Sequence, residues 1–488
     1  MTPKKNDLVT LEITDIGNGG EGIGKADGYT LFVKGAVVGD VIEAKVLKAK
    51  KTYGYAKIEK CLAPSPNRAE PVCPVAGKCG GCQLQQMSYT AQMDWKARRV
   101  KECLERIGGV EFEDGSARGE AKFLPILGME EPFAYRNKAQ FPVGKDKNGR
   151  IVTGFYAGHT HALIPCGRCA IQAPVNEVIC ETVCRHMEQH NIAPYDETAH
   201  AGLVRHILTR VGAVTGEVLV CLILNGNRLP EAELLAARLK AAVESFGDAL
   251  SPSQEPSGKK NGAGTGLTLK GVCINVNREK TNVILGEEII PVWGDTYITD
   301  YIGGIAYRIS PLSFYQVNPK QTKVLYEKVL EFAGLTGKEI VWDLYCGIGT
   351  ISLFLAEKAK QVYGVEIVPQ AVEDAKENAR RNGIANVEFF EGAAEAVVPS
   401  KYLESGGSMR ADVIVVDPPR KGCDERLLQT ITSMEPKRLV YVSCDPATLA
   451  RDVKFLEEKG YKLVQAQPVD MFPMTEHVET VVLLRREK

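Results

Sequence analysis

The sequence predicts an α/β protein with a doubly wound, mostly parallel domain at its C-terminal end. A small β-barrel stands at the N-terminal end and a mixed α+β region lies between them. Two observations carry this reading. From about residue 311 strand and helix patterns alternate, which is the arrangement that covers both faces of a parallel sheet with helices. Over residues 1–62 several short strands are separated by glycine-rich turns, the pattern of a small barrel. At 488 residues the chain is also too long for one ordinary core.

In the first unit Val9–Ile13, Tyr29–Val33 and Val41–Val46 read as strands, and Gly17–Gly24 reads as a turn. Lys45, Lys48, Lys50, Lys51, Lys57 and Lys60 gather at its end. They form either a solvated strand face or a phosphate-contacting surface. Pro64-Ser-Pro66 marks a linker, which places the central domain at 63–310. Within it, the polar tract Ser251–Gly266 reads as a flexible surface loop without function.

Residues 311–488 form the third unit. Strands are expected at Glu339–Asp343, Gln361–Val365, Val387–Phe390, Ala411–Val416, Arg438–Val442 and Thr480–Leu484. Helices are expected at Thr350–Lys358 and Pro369–Asn382. Ligands of such a domain sit at the carboxyl ends of the strands. Asp343-Leu-Tyr-Cys-Gly-Ile-Gly349 ends one strand and opens a helix there, and its glycines let a ligand approach the backbone. Glu366 ends the next strand, where a carboxylate can accept hydrogen bonds from ribose hydroxyls. NAD or FAD would also suit a glycine turn followed by an acid. Gly347-x-Gly349 lacks the third glycine of the dinucleotide fingerprint, however, because Ser352 holds that place. An acid ahead of the glycines suits a sulfonium better than a pyrophosphate, so S-adenosylmethionine is the expected cofactor.

Composition excludes little. The chain is 44% hydrophobic and 25% charged with a net charge of −1, values that neither require nor forbid a nucleic-acid partner. No apolar run reaches the roughly 18 residues of a membrane span, and no signal core follows the N-terminus. A cytoplasmic, reducing location is therefore expected. There the 14 cysteines read as metal ligands or catalytic thiols rather than disulfides. Cys73-x5-Cys79-x2-Cys82 supplies three thiolates in one glycine-rich loop, and either Cys166 or Cys169 could supply a fourth. Four cysteines suit zinc or a [4Fe–4S] cluster equally by spacing.

Three further strings sit at strand ends: Asp417-Pro-Pro-Arg420, Ser443-Cys444-Asp445-Pro446 and His477-Val-Glu479. With Ser313-Phe-Tyr-Gln316-Val-Asn318 they closely resemble the RNA 5-methyluridine (uracil-C5) methyltransferases, and the resemblance covers nearly the whole chain. It implies a Rossmann-like S-adenosylmethionine methyltransferase domain behind a TRAM, OB-like RNA-binding barrel. It also implies the iron–sulfur site of the branch that modifies 23S ribosomal RNA, with Cys73, Cys79, Cys82 and Cys169 as ligands. Cofactor contacts are implied for Gln316, Tyr345, Gly347, Gly349, Glu366 and Asp417. Cys444 is implied as nucleophile and Glu479 as base, in a monomer that acts on RNA.

The chemistry explains these residue types. Carbon 5 of uracil is a poor nucleophile until a thiolate adds to carbon 6, and a base must later remove the proton from carbon 5. The helix expected from Pro446 should favour the Cys444 thiolate. Arg420 stands where methyltransferases acting on amino groups usually carry an aromatic, which fits the covalent route. The rival readings are a transfer-RNA methyltransferase, a non-catalytic RNA-binding protein and an iron–sulfur oxidoreductase.

Overall fold

The computed structural model describes residues 2–113, 120–158, 160, 162–250 and 266–487. The polar tract expected to be a surface loop thus lies, except for its last glycine, outside the described residues.

Five strands close the N-terminal barrel: Leu8–Ile16, Gly22–Ala26, Tyr29–Lys34, Val41–Ala49 and Tyr53–Ala63. Alternate residues such as Leu31, Val33, Ile42, Ala44 and Ala56 fill it. The second strand lies partly within the stretch that reads as a glycine turn. Its Gly24 is needed for close packing, because a Cβ there would collide with Leu11 and lie 2.6 Å from the Glu12 carbonyl oxygen.

The helix Tyr89–Cys103, capped by Ser88, runs from the barrel to the C-terminal unit. On its buried face Lys96 Nζ donates to Asp470 at 2.6 Å, and both side chains are fully buried. The central region is a seven-stranded sheet covered by the helices Asn176–Gln189 and Ala232–Leu250.

The C-terminal sheet has eight strands in the order Val387–Glu391, Gln361–Glu366, Ile340–Leu344, Val413–Val416, Arg438–Ser443, Glu479–Arg486, Tyr461–Val469 and Lys122–Phe123. The first five are parallel, and Glu479–Arg486 is antiparallel to both its neighbours. One face buries Trp342, Ile414, Tyr441 and Val482, while the other buries Val341, Val415, Val440 and Val481. From Ile340–Leu344 the chain order runs outward in both directions, so the switch point lies between that strand and Val413–Val416.

Two joins run between the expected units. Lys122–Phe123 of the central segment pairs with Tyr461–Val469. The hairpin Ile298–Ile302/Ile305–Ile309 also packs on the C-terminal core, where the amides of Ala306 and Arg308 donate to Asn382 at 2.8 Å and Asn378 at 3.0 Å. The division at 310 therefore crosses packed contacts. Among the described residues, no helix is long and apolar enough to cross a membrane.

Candidate active site

The strand Ile340–Leu344 ends in Tyr345, whose φ of 71° is unusual for a side chain that bulky. The chain then turns through Gly347 and Gly349 into the helix Thr350–Ala356. The two glycines do different things. A Cβ on Gly347 would meet nothing within 4 Å, and its amide donates to Glu366 Oε2 at 3.1 Å. A Cβ on Gly349 would lie 2.9 Å from Phe389 and 3.2 Å from Ala375. A side chain at Gly349 would thus collide with the residues packed behind the loop. Glu366 also accepts the Val368 amide at 3.0 Å, so one carboxylate pins both neighbouring loops.

These loops border a cavity of about 950 Å³ at the switch point. Gln316, Tyr345, Gly347, Glu366 and Asp417 line one part of it, and Cys444 and Glu479 line the same space. Residues from five strand ends and the segment before the helix Pro319–Ala333 are thereby brought together. Sequence reasoning did not single out Phe314 as a wall residue. It is 71% exposed and stands at this cavity beside Leu312 and Val368. An exposed aromatic inside the Ser-Phe-Tyr-Gln string was the available signal.

The cavity is electrically unusual. Asp343 is fully buried and accepts the Ser352 hydroxyl at 2.5 Å, yet its Oδ1 has no partner. Burial, reinforced by the Glu366 charge, pushes its carboxyl up to about 7. Burial and then Asp343 push Asp417 up to about 7. Burial and then Asp417 push Glu479 up to about 8, against the pull of Arg420. The three carboxylates form a chain of like charges, and each makes its neighbour harder to ionise. A bound cation would relieve all three, so the donor set fits a sulfonium.

Cys444 follows the strand Arg438–Ser443 and precedes the helix Pro446–Glu458. The structure corrects the expectation that this helix holds the thiolate. The Asp445 side chain takes the first free amides, those of Ala447 and Thr448, both at 2.9 Å. Burial first, then Glu479 and Asp417, push the Cys444 thiol up to about 11, opposed by Arg420. Arg420 in turn lies 3.3 Å from His477 Nε2.

A second cavity of about 370 Å³ is lined by Cys73, Cys79, Cys82, Cys166 and Cys169, and it shares Gly81, Arg136 and Val317 with the first. Burial raises the thiols of Cys79, Cys82 and Cys169. One donor already aims at these sulfurs, the Gly81 amide at Cys79 at 3.3 Å. Among the described residues, no group of three or more His, Cys, Asp or Glu side chains forms a ready-made single-ion site.

Comparison with known proteins agrees with this geometry. Residues 298–487 match the family model described as tRNA (Uracil-5-)-methyltransferase, and residues 4–58 match the TRAM domain. An "Uncharacterized RNA methyltransferase" of Halalkalibacterium halodurans is 48% identical over 480 residues, covering 98% of this chain and 97% of the relative. One of Clostridium tetani is 46% identical over 481 residues, covering 99% and 97%. Among solved structures, the Pyrococcus abyssi tRNA (uracil-54, C5)-methyltransferase in complex with S-adenosyl-L-homocysteine is similar, with a TM-score of 0.73 and 26% identity. The match covers 98% of this chain and 100% of that one.

Proposed function

The chain belongs to the family of S-adenosylmethionine-dependent RNA uracil-5 methyltransferases that carry a TRAM domain, and we propose that it methylates carbon 5 of a uridine through a covalent bond to Cys444, in 23S ribosomal RNA as the resemblance of its barrel and cysteine cluster to that branch suggests. One observation carries the mechanism: Cys444 and Glu479 open into the same cavity as the cofactor loop and Asp417.

Gln316, Tyr345, Gly347, Glu366 and Asp417 would hold the cofactor, which supplies the methyl group and a positive charge that disappears on transfer. Asp417, which lines the cavity, would favour that charge, and the buried Asp343 would add to it through its effect on Asp417. Cys444 gives its proton to water, and the thiolate then adds through sulfur to carbon 6 of the ring, giving an enolate whose carbon 5 takes the methyl group. Its thiol is too weak an acid to ionise alone at neutral pH, so the added positive charge and Arg420 must lower it. Glu479 then takes the proton from carbon 5, the electron pair closes the 5,6 double bond, and the Cys444 sulfur leaves. The proton affinity of Glu479 rises once the positive charge beside it is gone, which is when a base is required.

For the second cavity we propose a structural [4Fe–4S] cluster on Cys73, Cys79, Cys82 and Cys169. These four residues would hold the cluster as thiolates, and the Gly81 amide that donates to Cys79 at 3.3 Å fits a thiolate there.

The likeness to the Pyrococcus abyssi enzyme favours transfer RNA as the second reading. Methyl transfer from labelled cofactor to each purified RNA, followed by mass-spectrometric mapping of 5-methyluridine, separates the two. Label in 23S RNA at one site supports the first, label only in transfer RNA supports the second, and label in neither overturns both.

A further inference from the structure

The barrel carries an aromatic cluster on its outer surface. Along Tyr29–Lys34 and Tyr53–Ala63 the inward side chains are Leu31, Val33 and Ala56. The outward ones are Phe32, Tyr53 and Tyr55, because side chains alternate along a strand. Phe32 stands opposite Tyr55 in the parallel register. The three rings contact one another, with centroids 5.7 Å apart for Phe32 and Tyr53, 5.8 Å for Phe32 and Tyr55, and 5.8 Å for Tyr53 and Tyr55. Tyr55 is 38% exposed. Three touching rings on an open sheet face are an unusual use of apolar surface in a unit this small.

Cations frame the rings. Lys50 Nζ lies 4.8 Å from the Tyr53 ring centre and donates to its hydroxyl at 2.8 Å. Lys48 is the cross-strand partner of Tyr55, and Lys34 is that of Lys57. The barrel packs on the loop that follows the cysteines, where a Cβ on its Gly20 would lie 2.9 Å from Gln83, and the cysteine cavity shares Gly81 and Arg136 with the active-site cavity.

We propose that Phe32, Tyr53 and Tyr55 form a stacking platform for unpaired bases of the substrate RNA, with Lys34, Lys48 and Lys50 on the adjoining phosphates. The proposal rests on the chain being an RNA methyltransferase and specifies which part of the RNA the barrel takes. Rings offer their faces only to bases out of a helix, so the platform takes a single strand, of any sequence. Duplex RNA, whose bases are paired and stacked, has only the lysines to meet. A target uridine in the cavity must itself be unstacked, and a single strand running from it to the platform keeps its neighbours apart from competing pairing.

The test uses the full-length protein and measures dissociation constants for short oligouridine, oligoadenosine and a blunt RNA duplex across a salt series. Phe32→Leu and Tyr55→Leu should each weaken both single strands about fivefold or more and leave the duplex and the salt slope unchanged. Tyr55→Trp should restore the affinity. Lys48→Gln with Lys50→Gln should lower the salt slope by about 1.4, which is about 0.7 for each lysine replaced. Equal losses for single strand and duplex, or ring variants that bind like the unaltered protein, overturn the platform. Methyl transfer by the unaltered protein is measured alongside. Ring effects without any transfer to RNA overturn the methylation reading alone, and normal transfer without ring effects overturns the platform alone.

Discussion

Cys166 and Cys169 line the same cavity, but only one of them is fully enclosed. The Cys166 thiol is buried and donates to the carbonyl oxygen of Arg168 at 3.2 Å. Cys169 is half-buried. A thiol that donates to a carbonyl is arranged to keep its proton. Anaerobically purified protein should carry about four irons. Cys169→Ser should lose them together with the visible absorbance, and Cys166→Ser should keep them. Zinc in place of iron in elemental analysis would rule out the cluster, and loss only in Cys166→Ser would transfer the ligand role to that residue.

The chain of carboxylates gives a pH dependence with a definite sign. In the unfolded chain Asp343, Asp417 and Glu479 ionise near their ordinary values of 3.8 to 4.5, but in the fold they hold protons up to about 7, 7 and 8. The folded state thus binds more protons across that window. These groups contribute stability below about pH 4 that is lost as pH rises towards 8. A positive ligand favours the ionised forms and should reverse the trend. The thermal shift produced by S-adenosylmethionine should grow between about pH 6 and 8.5, while the shift from the uncharged thioether S-adenosylhomocysteine should stay nearly flat. Asp417→Asn should remove most of the difference. Parallel pH profiles for the two ligands would show that the carboxylates do not sense the sulfonium.

How far the sequence disclosed this site depended on the kind of interaction. Asp343 and Glu366 were legible as acids at strand ends around a glycine loop, whereas Asp417, Cys444 and Glu479 were legible through the resemblance of their strings to the RNA 5-methyluridine methyltransferases. Several strands were not, among them Tyr53–Ala63, which closes the barrel, and two whose residues argue against a strand. Gly22–Ala26 of the barrel consists largely of residues that signal turns, and only packing against Leu11 makes Gly24 a strand residue. Tyr461–Val469 escaped notice because Pro468 argues against a strand, and partners at Lys122–Phe123 and Glu479–Arg486 decide its place. The reversed influence on Cys444 was illegible for a different reason. The string Cys-Asp-Pro shows a helix start, but only the fold reveals that Asp445 occupies the free amides and that two carboxylates face the sulfur.

Lys96 and Asp470 connect the first helix to the loop leading towards Glu479. Lys96 Nζ also donates to the Phe472 carbonyl at 3.0 Å, and Gln321 binds the Asp470 carbonyl at 3.1 Å. Lys96→Met leaves a buried carboxylate unpaired, which costs about 3–5 kcal/mol. Lys96→Met combined with Asp470→Asn should recover much of the loss, because no charge then remains buried. Urea denaturation of the two variants beside the unaltered protein checks this. A single variant that loses less than about 1 kcal/mol would mean that water reaches the pair.

The covalent step can be trapped. Substrate RNA carrying 5-fluorouracil should hold the enzyme after methylation, since fluorine at carbon 5 cannot leave as a proton does. The adduct should survive denaturing electrophoresis, and Cys444→Ala should form none and show no turnover. Glu479→Gln keeps the shape of the cavity but removes the base and one of the charges that raise the Cys444 thiol. Addition and methyl transfer should proceed, and only proton removal should fail. Adduct should then accumulate on ordinary RNA while product release slows, by roughly the 10²–10⁴-fold that a positioned base contributes. Substantial activity in Cys444→Ala would overturn the nucleophile. Normal turnover without adduct in Glu479→Gln would assign the proton to another group and leave the sulfur's role intact. The Glu479→Asp protein separates basicity from reach. It retains a carboxylate but draws it back by one methylene, so an intermediate release rate is expected if direct transfer from carbon 5 is the step that Glu479 performs.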